Sequence, residues 1–196
     1  RTALLLAALL ATTSLSAFVV FTWLPEILID IADADEITAS SLLAVFSFLG
    51  LPLALVIPIL ETRGVRADVL VGIGVLFFVS GYLGLIFTPG SATVAWVVLI
   101  GLGPLIFPLC LVLANTRSRT ERGSVALSSF MQSFGYLIAS AWPAIIGFLH
   151  ETSGSWALPL WTLLAVSVVG GAVGLLIGRE SYVEDELKAI NRTPYL

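Results

Sequence analysis

Apolar residues run through this chain in long blocks parted by short polar stretches. The blocks fall at roughly 3–28, 38–60, 69–88, 93–115, 124–149 and 157–178. A helix needs about 20 residues to cross about 30 Å of hydrocarbon, and every block is long enough. The pattern predicts six transmembrane helices and no strands, an all-α membrane protein. The separators carry ordinary stop chemistry. "DIADADE" (30–36) is acidic, and Asp35 or Thr38 is placed to cap the second helix, where acidic groups suit the N-terminal dipole. "ETRGVRAD" (61–68) and "TRSRTERGS" (116–124) are charged, "TPGSAT" (88–93) is a turn cluster, and "HETSGSW" (150–156) is a polar surface turn. Pro159 falls in the first turn of the last helix, where proline is tolerated. The first block is longer than the core of a signal peptide, about 7–15 residues, and reads as a retained span. Beginning at Arg1, the chain is either processed or a piece of something longer. The expected organisation is a six-helix bundle over 1–178 and a cytoplasmic tail over 179–196, with at most a brief helix at 182–190.

Composition agrees with the blocks. The 196 residues are 58% hydrophobic and 11% charged, with a mean hydropathy of +1.05. A soluble domain has about 45–50% apolar and about 25% charged residues. The net charge of −4 says less than the placement of the cations. With six spans, all nine Lys and Arg fall on one side, and the three connections on the other side hold none. The positive-inside rule then puts both ends of the segment in the cytoplasm of a cell (plasma or inner) membrane protein. Trp23, Trp96, Trp142 and Trp156 all fall near the opposite, outer ends, as an aromatic belt would. One cysteine, Cys110, excludes an intramolecular disulfide. One histidine, His150, suggests no metal cluster, and no nucleophile–base pair stands at catalytic spacing. The expectation is a protein that is not an enzyme and uses no cofactor or metal, with the lipid bilayer as solvent and no nucleic acid as partner.

Polarity inside the spans is neutral. "ATTSLS" (11–16) lies about 15–22 Å into the first helix, with Thr12 and Ser16 as cavity-lining candidates. The alternative is a helix whose hydroxyls bond back to carbonyls one turn earlier. In the fifth helix Ser128, Gln132, Tyr136 and Ser140 recur every fourth residue and form one stripe. Gln132 lies about 12 Å deep and Tyr136 about 18 Å, on either side of the midplane. Gln132 is either interhelical glue or a solute contact, while Tyr136 can both stack and hydrogen-bond. "GLP" (50–52), Pro58 and "GLGPLIFP" (101–108) mark kinks, made for packing or for a solute site. Gly170, Gly174 and Gly178 form a small-residue face, and Gly72, Gly74, Gly81 and Gly84 do similar work in the third helix. Glu26 lies about 36 Å along its helix beside Pro25 and reads as an outer-rim residue; the alternatives are an outer gate and a midplane proton carrier, and they make it a gate or coupling candidate.

"WLPEILID" (23–30), "GLPLALVIPILETR" (50–63), "GLGPLIFPLCLVL" (101–113) and above all "LSSFMQSFGYLIASAWPAIIGFLHETSGSW" (127–156) resemble the C-terminal half of the cyanate permease/nitroimidazole transporter family, within the major facilitator superfamily. The resemblance covers nearly the whole chain. It implies half of a major facilitator fold, with the six spans arranged as two inverted three-helix repeats. It also implies that the first, second, fourth and fifth helices face the central cavity or the other half and that the third and sixth are supports. The family's cytoplasmic motif, G-x-x-x-D-R-x-G-R, is held here by "PILETRGVR" (58–66). Arg63 and Arg66 match its arginines, while Pro58, Thr62 and Val65 depart from it, so Arg63 is either an inner-gate candidate or a topology charge.

The function this implies is secondary transport of a small organic solute, a small anion or planar aromatic, by alternating access. Its other six-helix half would lie N-terminal in the same polypeptide. The alternatives are a stand-alone six-helix homodimer and a non-transporting membrane subunit.

Overall fold

The structure, a computed structural model, describes residues 2–176. Six helical spans follow one another: α1 (Thr2–Ala32), α2 (Glu36–Thr62), α3 (Ala67–Phe87), α4 (Thr93–Thr116), α5 (Glu121–Ser153) and α6 (Ala157–Leu175). Each is long and apolar enough to cross a membrane, and the described residues contain no strand. Connections of three to five residues force consecutive helices to run antiparallel. The tryptophans therefore collect at one end of the bundle and the arginine-bearing turns 63–66 and 117–120 at the other. Arg1, Gly178 and the tail, with its expected helix at 182–190, lie outside the described residues.

The connections close with local chemistry. Asp35 stands at the N-cap of α2, and the Thr38 hydroxyl beside it holds its carboxyl below the usual carboxylate range. Thr120 caps α5 by accepting the Gly123 N–H at 3.0 Å. The Ser124 hydroxyl donates to the side-chain oxygen of Asn115 and ties the start of α5 to the end of α4. Gly154 ends α5 in the left-handed conformation, φ +64°, which glycine takes without a Cβ clash.

Of the six spans, α1 is the most buried. It is apolar nearly all round, as a helix enclosed by others must be. Small residues let its neighbours approach. A Cβ added to Gly170 of α6 would lie 2.2 Å from the Thr12 side chain, and one added to Gly174 would meet Val71 of α3 and Leu9 of α1. The glycines of α3 serve α4 in the same way: Gly74 faces Ile106, Gly81 faces Ile100 and Gly84 faces Trp96. Gly72 differs from this expectation. A Cβ there would meet nothing within 4 Å, so it faces open surroundings and packs nothing.

Proline does not act uniformly. Pro104 sits in a 3₁₀ turn, Gly103–Leu105, that interrupts α4. Pro143 marks a break in α5, between helical pieces Glu121–Ser140 and Trp142–Ser153, that the apolar pattern did not show. The carbonyl of Pro143 accepts from Trp23 Nε1 at 2.8 Å, so α1 braces the break. α2 stays helical through both Pro52 and Pro58. α2 and α5 are the least buried spans and present large apolar side chains outward, among them Phe48, Leu51 and Leu55, and Phe134 and Leu137.

Candidate functional site

Between α1, α2, α4 and α5 lies a cavity of about 410 Å³. Its wall comprises Thr13, Ser14, Ala17 and Phe18 from α1, and Gly50, Leu53 and Ala54 from α2. α4 adds Pro104, Phe107 and Pro108, and α5 adds Tyr136. Neither α3 nor α6 contributes to it. The 3₁₀ turn of α4 brings Pro104 to the wall, and Ala54, whose carbonyl loses its helical partner to Pro58, borders the same space. Three rings lie nearly parallel there. Tyr136 stacks with Phe107 at 6.5 Å and 17° and with Phe18 at 6.1 Å and 30°. The hydroxyls of Thr13 and Ser14 are buried and have no hydrogen-bond partner.

The expected site residues divide. Tyr136 lines the cavity. Gln132, one turn earlier, is absent from its wall and donates from Nε2 to the Ser128 carbonyl at 3.2 Å, within its own helix. Ser128 is likewise off the wall. Thr12 donates to the Ala8 carbonyl at 2.9 Å and packs against Gly170. Ser16 is fully buried beside Tyr82 of α3. A helix turns about 100° per residue, so Thr12 and Ser16 share one face of α1 while Thr13, Ser14, Ala17 and Phe18 share another. The structure turns the first face towards the supporting helices and the second towards the cavity.

The two charged candidates sit at opposite ends. Arg63 is exposed at the end of α2. Its neighbour Arg66 pairs with Asp68 through two contacts, Nε–Oδ1 at 3.0 Å and Nη2–Oδ2 at 2.6 Å. Glu26 is exposed at the Trp-rich end and does not stand alone. Donor atoms of Glu26, Asp30 and His150 lie within 4.8 Å of one another. Trp156 organises this group: its Nε1 donates to Asp30 Oδ2 at 2.8 Å, and its ring stacks on His150 at 3.9 Å and 13°. Sequence reasoning placed His150 in a surface turn, whereas α5 continues past it to Ser153. The spacing of Glu26 and Asp30, one helical turn apart, was the available signal for two of the three residues. Both carboxylates are solvated, so the group stands as a polar rim without a bound ion being required.

Six apolar spans, four of them lining a cavity, define a multi-pass membrane protein. A sequence profile of the Major Facilitator Superfamily matches residues 4–193, and the chain belongs to that family. It is 33% identical over 172 residues to the uncharacterized transporter YycB of Bacillus subtilis (strain 168), covering 86% of this chain and 42% of that protein. It is 31% identical over 180 residues to the 2-nitroimidazole transporter of Escherichia coli (strain K12), covering 89% and 44%. The cyanate transport protein CynX of the same organism is 34% identical over 149 residues, covering 76% and 38%. The chain thus spans less than half the length of these relatives. No solved structure matches it.

Proposed function

We propose that the chain is the C-terminal half of a secondary active transporter that moves a small organic solute by alternating access. The observation that carries this is the cavity. It is of ligand size, it lies at mid-bundle, and among the described residues it is lined by α1, α2, α4 and α5. The exposed apolar faces of α2 and α5 adjoin it, and a six-helix N-terminal half of the same polypeptide would cover them. That half accounts for the length of the relatives that this chain leaves unmatched. The two halves would rock about the site and open it to each side in turn. The arginine-bearing end faces the cytoplasm of the cell membrane. The relatives' names, a 2-nitroimidazole transporter and a cyanate transport protein, point to a small planar aromatic or a small anion as solute. Tyr136 is the solute-facing residue of α5. Glu26, beside Asp30 and His150, gates or couples from the outer rim, and Arg63 stands at the inner end of α2.

The test is uptake into proteoliposomes by the full polypeptide, with radiolabelled 2-nitroimidazole and cyanate as probes. The expected result is saturable uptake of at least one probe, reduced about tenfold or more by Tyr136→Ala at equal reconstitution. A wild-type protein that moves neither probe, or a Tyr136→Ala variant with undiminished uptake, refutes the reading.

A further inference from the structure

Hydroxyls on these helices follow a rule with an informative exception. Thr12, Thr22, Ser41, Ser47, Thr162 and Ser167 each donate to the carbonyl four residues earlier. That bond is how a hydroxyl in an apolar helix is ordinarily satisfied. Three buried hydroxyls of α1, on Thr13, Ser14 and Ser16, do not make it. Ser16 lies off the cavity beside the Tyr82 hydroxyl of α3, which can pair with it, whereas the structure shows no such neighbour for Thr13 and Ser14. Thr13 and Ser14 are 1% and 4% exposed, and both line the cavity. Two adjacent donors are thus held in an apolar wall with their hydrogen-bonding capacity unspent. Buried polar groups are nearly always paired, so a pair left open at a cavity marks a place where something else supplies the acceptor.

The rest of the wall says what kind of molecule that is. Tyr136, Phe107 and Phe18 present nearly parallel rings, a surface suited to the face of another flat ring. Among the described residues no Lys, Arg or His borders the cavity, so a compact unit charge would meet no countercharge on this wall. Size points the same way. A cavity of about 150 Å³ accepts a benzene ring, whereas a three-atom anion fills on the order of two water volumes, about 60 Å³. The 410 Å³ here leaves room for a substituted ring and far exceeds what a linear anion needs.

We propose that Thr13 and Ser14 are the hydrogen-bond donors that recognise the solute and that Tyr136, with Phe107 and Phe18, is the surface on which it stacks. The site takes a flat aromatic carrying acceptor atoms at its edge, such as nitro or ring-nitrogen groups, in preference to a small linear anion. This inference rests on the transport reading above and chooses between the two solute classes it allows.

The experiment is equilibrium binding and proteoliposome uptake by the full polypeptide, with 2-nitroimidazole as the flat probe and cyanate as the linear one. Wild type is expected to bind 2-nitroimidazole at least tenfold more tightly than cyanate. The double variant Thr13→Val, Ser14→Ala removes both hydroxyls with little change of shape and is expected to weaken 2-nitroimidazole binding about tenfold or more. Thr13→Ser alone is expected to stay within about twofold of wild type. Thr12→Val and Ser16→Ala, on the opposite face of α1, are also expected to stay within about twofold, and all variants should elute and melt as wild type does. A variant that misfolds is replaced in the comparison by Ser14→Ala alone, with a threefold loss expected. Tighter binding of cyanate, or equal losses from the two faces of α1, overturns this inference while leaving transport standing. Failure of wild type to move either probe refutes the transport reading itself.

Discussion

Gly84→Ala is a one-carbon change whose consequence can be worked out from the packing of α3 on α4. The added Cβ would lie 2.1 Å from Trp96 Cδ2, 2.4 Å from Cε3 and 2.6 Å from Cε2. Carbon atoms in contact sit about 3.5–4.0 Å apart, so the indole must retreat by more than about 1 Å or the helices must part. The ring is not free to swing, because Trp96 Nε1 donates to the Thr88 carbonyl at 3.0 Å. Overpacking of this kind costs about 1–3 kcal/mol, and loss of the indole bond adds about 0.5–1.5 kcal/mol. The better helix propensity of alanine offsets up to about 1 kcal/mol. A net destabilisation of about 0.5–4.5 kcal/mol is expected. Gly72→Ala, in the same helix, is the control: with nothing within 4 Å of its Cβ it gains the propensity and meets no clash. The assay is denaturation of the purified full polypeptide in detergent, followed by circular dichroism. Gly84→Ala should unfold earlier than wild type, and Gly72→Ala at the same point or later. Adding Trp96→Leu to Gly84→Ala should lower the stability less than the two single losses sum to, since the clash and its partner vanish together. Equal midpoints for Gly84→Ala and Gly72→Ala would refute the packing argument.

Two further predictions follow from placements described above. Gln132→Leu should leave the denaturation midpoint within about 0.5 kcal/mol of wild type, because the amide's partner is the Ser128 carbonyl of its own helix; a loss beyond about 1 kcal/mol would show an interhelical role. If the arginine-bearing turns lie inside, as proposed, a cysteine at Ser91 should react with a membrane-impermeant maleimide in intact cells and one at Thr62 only after permeabilisation; Cys110 is buried and should contribute no background. The reverse labelling pattern would invert the assigned topology.

Much of the architecture is a local property and could be read residue by residue. Whether a block spans a membrane depends on its length and polarity, and the one-sided distribution of arginines depends only on how many spans separate them. The all-helical class and the six spans are therefore legible without coordinates, as is membership of a transporter family through "QSFGYLIA" and its surroundings. The behaviour of proline is not local. Pro52 and Pro58 lie within a continuous α2, Pro104 accompanies a 3₁₀ turn, and Pro143 marks a break braced by Trp23, 120 positions away. What replaces the lost backbone bond, and whether the helix yields, depends on the neighbours.

The site shows the same division. Tyr136 lies on an amphipathic helix, and of the stripe Ser128, Gln132, Tyr136 and Ser140 it alone borders the cavity. α1 has no such guide. It is apolar on every side, and rotating it by about 100° exchanges Thr12 and Ser16 for Thr13 and Ser14 at no change in local pattern. Thr12 packs against Gly170 of α6, where a Cβ would lie 2.2 Å from its side chain, and that contact suits the observed rotation. Sequence determined that a polar run crosses the membrane in α1; packing against α3 and α6 decided which two of its hydroxyls are left facing the cavity.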